Sequence, residues 1–233
     1  MTPLVVVRLR KFQVTFKLLD APQGSPEWVS ARIGKITASR LKDWLAVSRR
    51  DGKPLMARMD YERELAFEVQ FNVPFSRFVT AAMEQGQIME GFLKRQYEKQ
   101  FGVIVKPVGC YYSDAFVASP DGEIGADGLI ECKWVYDTTF SKVLTEGVQE
   151  EHMLQIQGQL WASDRKWCDY VVGNQNTGKF VVIRVERDEP LIEVIAESLK
   201  DPKLSVSINP GNVFDFTNKP EYPISAIKID KEF

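Results

Sequence analysis

Apolar positions recur along this chain with two different periods, and the switches between them outline its elements. Residues 128–135 (Gly-Leu-Ile-Glu-Cys-Lys-Trp-Val) set Leu129, Ile130, Trp134 and Val135 around two charges without helical spacing, which predicts a β-strand. Looser alternation over residues 4–19 (Val5, Val7, Leu9, then Phe12, Val14, Phe16, Leu18) predicts strand or extended structure. A turn-rich stretch at 20–26 follows, and a new element runs from Glu27 and Trp28 towards Ile33. Leu41, Trp44 and Leu45 have helical spacing, with Thr37 or Ser39 placed to cap that helix. Helices are predicted over residues 57–70, about 80–100, 150–163 and 189–200. Strands are predicted at about 103–112, 115–118, 168–173 and 179–186. From Asp201 onward, four prolines and Asn209-Pro210-Gly211 predict an irregular tail.

With 233 residues, the simplest organisation is one domain: an N-terminal extension over 1–26, a core over 27–200 and a tail over 201–233. A hydrophobic share of 44% and a charged share of 27% are ordinary for a water-soluble protein. The run Leu4-Val5-Val6-Val7 is too short to span a membrane, and no signal-peptide pattern is visible, so the expected address is cytoplasmic. Cys110, Cys132 and Cys168 are odd in number and widely spaced, which suits buried thiols better than a disulfide framework or a zinc site. His152 is the only histidine, so a mechanism built on two histidines is excluded.

Charge changes the picture more than composition does. Residues 1–58 hold twelve Lys/Arg against four Asp/Glu, about +8, which leaves about −10 for the remainder. Such a tilt fits a basic surface facing phosphates and an acidic remainder containing metal ligands, and equally fits a solvated surface.

The candidate chemistry centres on Ser119-Pro120-Asp121-Gly122 and Glu131-Cys132-Lys133. Alternate residues of a strand share a face, so Glu131 and Lys133 point together while Cys132 points away. Two charges on a strand with apolar flanks are costly unless paired or bound to an ion. A turn that brings Asp121 alongside completes two carboxylates and an amine. Magnesium takes one or two carboxylates plus water and substrate phosphate, and a lysine beside that water orients or deprotonates it. Elsewhere, Arg32 and Lys35 flank hydroxyls at a predicted helix start, which is either a phosphate site or plain capping. On the 150–163 helix, His152, Gln155 and Gln159 share a row, placed to hydrogen-bond phosphates or metal-bound water or to pack against a neighbour.

In order and spacing these signatures resemble the phage lambda exonuclease family, the YqaJ-like viral recombinases of the Pro-Asp…(Asp/Glu)-x-Lys nuclease superfamily. The segments are Trp28…Arg32-x-Gly34-x-Ile36-Thr37-Ala38-Ser39, Gly86…Glu90, Ser119-Pro120-Asp121-Gly122, Glu131-x-Lys133, Gln155-Ile156-Gln157 and Val185-Glu186-Arg187-Asp188-Glu189. The resemblance implies an α/β fold with a central mixed β-sheet flanked by helices, as in restriction endonucleases. It implies a Mg²⁺-dependent 5′→3′ exonuclease on linear double-stranded DNA that leaves a 3′ overhang for recombination. Two ions are implied, with Mn²⁺ as a substitute. Asp121 and Glu131 match the metal-binding carboxylates, with the Cys132 carbonyl as a further ligand, and Lys133 matches the catalytic lysine. Gln155 matches the helix glutamine, with Gln157 as the alternative, and Glu90 matches the helix carboxylate. Arg32, Ser39 and Ser119 match the pocket for the 5′-phosphate, beside Thr37 and Lys35. A ring-shaped homotrimer, a single-strand annealing protein as partner and a phage or prophage origin are also implied. Two other readings are an endonuclease on the same core and a catalytically silent DNA-binding module. No helix-turn-helix, zinc-finger or Walker-type signature is present.

Overall fold

The computed structural model describes residues 4–8, 13–76 and 81–200, and within these two mixed β-sheets share one central helix. Strands β1 (Leu4–Arg8) and β2 (Gln13–Leu19) open the chain. Helix α1 (Pro26–Arg32) begins where Pro26 takes the first turn and the Ser25 hydroxyl accepts from the Trp28 N–H. Strand β3 (Ile36–Thr37) leads through a 3-10 turn at Ala38–Arg40 into the short helix α2 (Leu41–Trp44). Two long helices follow, α3 (Met56–Phe71) and α4 (Ala81–Phe101). Four short strands come next: β4 (Val105–Lys106), β5 (Cys110–Tyr112), β6 (Phe116–Ala118) and β7 (Gly122–Ile124). The long strand β8 (Gly128–Val135) precedes helices α5 (Asp137–Glu146) and α6 (Glu150–Ser163). Strands β9 (Trp167–Asn174) and β10 (Phe180–Glu186) and helix α7 (Glu189–Ser198) complete the described chain.

The first sheet runs β1-β2-β5-β6-β3 and the second β10-β9-β8-β7-β4. Each is antiparallel except for one parallel pair, β3 with β6 and β8 with β9. The chain passes from one sheet to the other through Ser119, Pro120 and Asp121, between β6 and β7. Helix α6 serves both sheets. Its Leu154 and Trp161 enter a core with Phe16, Phe116 and Leu41, while Ile156 and Leu160 pack on Leu129, Tyr170 and Val172 of the second sheet. Helix α4 covers the opposite face of the second sheet, with Leu93 and Tyr97 against Ile130, Cys132 and Val171. Gly158 lets α6 approach the 38–41 segment closely: a Cβ there would lie 2.7 Å from a Leu41 methyl and 3.0 Å from the Phe116 ring.

The expected α/β class and flanking helices are observed, but as two sheets rather than one central sheet. The N-terminal residues account for much of the difference. Instead of a mere extension, β2 pairs with β5 and inserts Phe16, wholly buried, edge-on against Trp161 at 4.9 Å between ring centres. Burial of such a ring contributes about 2–3 kcal/mol. The 150–163 helix and the 128–135 strand lie where the spacing predicts them. The turn that brings Asp121 alongside falls at 125–127, where Gly125 has φ +57°, after a short strand over residues 122–124. Helix α5 has no counterpart in the sequence reading. The tail expected over 201–233 lies outside the described residues.

Candidate active site

The site forms where β7 stops and β8 continues. The two strands pair from Ile124↔Gly128 to Gly122↔Ile130, and the Asp121 N–H still donates to the Ile130 carbonyl at 3.1 Å. Extending that register by one step sets Asp121 opposite Glu131, as cross-strand neighbours. Beyond this point the β8 edge has no strand partner on that side among the described residues. There the Asp121 Oδ2 accepts the Cys132 N–H at 2.7 Å. A strand residue's N–H and C=O point to the same edge, so the Cys132 carbonyl also faces this gap, while its thiol is buried beneath α4.

Glu131 is buried and heavily bonded. Its Oε1 accepts from the Lys133 Nζ at 2.5 Å and from the Gln155 amide at 2.6 Å, and its Oε2 accepts from the Gln159 amide at 2.8 Å. Glu90, from α4, adds a third carboxylate to the field of Lys133. Lys94, one turn further along α4, donates to the Asp121 carbonyl at 3.0 Å. Burial, reinforced by Glu131 and only partly offset by Lys133, pushes the Asp121 carboxyl up to about 8. Burial also raises Glu90. Burial alone would lower Lys133, but Glu131, Asp121 and Glu90 together hold its ammonium above the ordinary lysine value. Lys133 therefore acts in the metal-free site as a charged donor rather than a proton acceptor.

This oxygen-lined excess of negative charge fits a hard divalent cation. Asp121, Glu131 and the Cys132 carbonyl are the groups that would hold it. Among the described residues no group of three or more His, Cys, Asp or Glu side chains is arranged as an all-protein metal cage. Magnesium does not require one, because it keeps several waters and binds through one or two carboxylates.

Along the same segment lies a cluster of hydrogen-bond donors around Ser119. The Ser119 hydroxyl oxygen accepts from the Trp28 indole N–H at 3.1 Å and from the Arg32 guanidinium at 3.2 Å. With two donors already on that oxygen, the hydroxyl proton is left to donate outward. Arg32 also stacks on Trp28, 4.2 Å above the ring. One cavity of about 240 Å³ is lined by Arg32, Ser39, Ser119, Asp121, Glu131, Lys133 and Gln155, bringing seven of the expected residues together. Glu90 lines the adjoining cleft with Lys94 and Asp121.

Thr37 and Lys35 stand one step removed. Both line a neighbouring cavity with Arg32 and Ser39. The Thr37 hydroxyl lies 3.3 Å from that of Ser39, and the Lys35 ammonium turns back to the Ala31 carbonyl at 2.8 Å. The two glutamines bond to different parts of the fold. Gln155 reaches Glu131, whereas Gln157 donates to the Glu186 carbonyl and accepts from the Asp188 N–H, tying α6 to the end of β10. Residues absent from the expected set are Gln159, Trp28, Lys94 and Gln23, whose amide donates to the Pro120 carbonyl at 2.8 Å. Gln159 was legible as the third member of the His152–Gln155 row, and Lys94 as one turn from Glu90. Gln23 carried no signal.

Comparisons with known proteins agree with this fold. An alkaline exonuclease from Laribacter hongkongensis (LHK-Exo) is 31% identical, with a TM-score of 0.66 over 75% of this chain and 89% of that one. The same protein in complex with dAMP gives 0.67 at the same identity and coverage. A phage related exonuclease from Haemophilus somnus 129PT is 16% identical over 71% of this chain and 90% of that one, with a TM-score of 0.57, a likeness of fold alone. A search of curated proteins finds no match. No helix among the described residues is long and apolar enough to cross a membrane. The profile of the YqaJ-like viral recombinase domain matches residues 27–166, and the chain belongs to that family.

Proposed function

We propose that this protein is a Mg²⁺-dependent 5′→3′ exonuclease that degrades one strand of linear double-stranded DNA from 5′-phosphorylated ends. The observation that carries the reading is the single cavity in which Arg32, Ser39 and Ser119 stand beside Asp121, Glu131 and Lys133. A phosphate held at the first group leaves the next phosphodiester of the same strand within reach of the second. Bound magnesium supplies polarisation of a phosphate oxygen and a lowered pKa for water, and Mn²⁺ would substitute. Arg32 and the outward Ser119 hydroxyl hold the terminal phosphate. The Lys133 ammonium stabilises charge developing on the reacting phosphoryl oxygens. Gln155 orients the Glu131 carboxylate and presents its amide to the attacking water. Release of mononucleotides would leave a 3′ overhang for recombination through a single-strand annealing protein, with the exonuclease working as a homotrimer around DNA.

The test incubates protein and Mg²⁺ with linear duplex bearing a 5′-phosphate or a 5′-hydroxyl, beside a closed circle. The phosphorylated duplex is consumed fastest and the circle survives. Cutting of the circle, or release of a 3′ label first, rejects the reading. Arg32→Ala slows phosphorylated ends selectively, and equal slowing on both ends removes Arg32 from the phosphate pocket. Mass measurement in solution tests the trimer.

A further inference from the structure

Gln159 is wholly buried in the middle of α6, although its side chain is polar. Its amide nitrogen lies between two acceptors, the Glu131 Oε2 at 2.8 Å and, more weakly, the Ser119 carbonyl at 3.4 Å. Since neither neighbour donates, the amide cannot be turned over, and the nitrogen must face them. The amide oxygen is thereby fixed in place, and it has no hydrogen-bond partner among the described residues. Buried acceptors in proteins are nearly always satisfied, by water where protein cannot reach. Gln159 lines the same cavity as Asp121 and Lys133, and it is the amide nitrogen that meets the cavity-lining Glu131 and Ser119.

We propose that Gln159 is a positioning residue that joins the two halves of the site. Its N–H group fixes both the Glu131 carboxylate and the backbone that carries the Ser119 hydroxyl. Metal affinity and 5′-phosphate recognition then depend on one side chain. This inference rests on the function proposed above. Gln157 supplies the contrast, being equally buried on the same helix but bonded, among the described residues, only to the end of β10, Asp188 and Met153.

The test compares wild type, Gln159→Leu, Gln159→Met and Gln157→Leu in two measurements. One is a Mg²⁺ titration read by thermal shift without DNA, and the other is the rate ratio between 5′-phosphorylated and 5′-hydroxyl duplex. Loss of a group that orients a metal ligand weakens metal binding roughly 10–100-fold. We expect the Gln159 variants to need at least about tenfold more Mg²⁺, and their phosphate-to-hydroxyl ratio to fall towards one. Gln157→Leu lowers the melting temperature but keeps the wild-type Mg²⁺ midpoint and end ratio. Should Gln159→Leu fail to fold, Gln159→Met, of matching length, carries both measurements. A Gln159 variant with the wild-type Mg²⁺ midpoint and end ratio overturns this inference alone. A wild type with no Mg²⁺ response and no digestion overturns it together with the function it rests on.

Discussion

Asp121 and Glu123 lie two residues apart at the start of one short strand, yet their surroundings are opposite. Glu123 is balanced: Arg165 meets its Oε2 at 2.7 Å and the Tyr111 hydroxyl donates to its Oε1. The same guanidinium also donates to the Gly125 and Gly128 carbonyls, so one arginine closes the β7–β8 turn. Asp121 is not balanced. It shares Lys133 with Glu131 and Glu90, and each added carboxylate raises the cost of ionising the others. A buried carboxylate matched by a guanidinium and a hydroxyl completes the fold. Three carboxylates that share one ammonium leave a negative excess, which the proposed function assigns to a bound cation. The sheet repeats the balanced solution at Asp169, which takes Arg184 through both oxygens and the Tyr97 hydroxyl as a third donor.

The contrast is broken most severely by removing the unbalanced centre. Asp121→Ala or Lys133→Ala is expected to lower turnover on linear duplex by roughly 10³-fold or more, with unchanged circular dichroism. Retained turnover in either variant rejects the assigned site. The opposite outcome is expected at the balanced corner. Arg165→Leu leaves Glu123 buried with only the Tyr111 hydroxyl, and unfolding in urea should show a loss of about 3 kcal/mol. The rate per folded molecule stays at the wild-type value. If the arginine variant instead loses activity at full stability, Glu123 and Arg165 belong to the chemistry, and the distinction between the corners disappears.

The two corners also differ in how far the sequence revealed them. The pairing of Glu131 with Lys133 follows from the two-residue period of a strand, so it was legible without coordinates. The proximity of Asp121 depends only on a short hairpin, which the Gly125 turn makes local. Sequence spacing cannot carry the long-range placements. Arg165 reaches Glu123 from beyond α6, and Gln23 reaches Pro120 from a loop almost a hundred residues earlier. The division into two sheets was hidden for a related reason. Alternation in β2 shows that one face is buried but not against what, and the answer, Phe116 and Trp161, lies far along the chain. Gln155 and Gln157 were indistinguishable as residue types. Only the rotation of α6, set by Ile156 and Leu160 packing on the second sheet, decides that Gln155 meets Glu131.

The smallest expected effect is the sharpest test of imbalance, because it runs against the usual direction of mutation. Asp121→Asn removes one charge from the cluster and keeps an oxygen to accept the Cys132 N–H. The Asp121 carboxyl is raised in the folded protein, so its protonated form stabilises the fold at low pH, and that contribution is lost as pH rises from about 4 to about 8. Metal-free Asp121→Asn should therefore melt a few degrees above metal-free wild type at pH 8 to 9, on the order of 1–2 kcal/mol. The advantage vanishes near pH 4, where the wild-type carboxyl is neutral as well. Added Mg²⁺ reverses the order, raising the melting temperature of wild type and leaving the variant nearly unmoved. A metal-free variant no more stable than wild type at high pH would mean that Lys133 and Lys94 already balance the cluster. Asp121 would then be as settled as Glu123, and the difference between the two carboxylates would lie in geometry rather than charge.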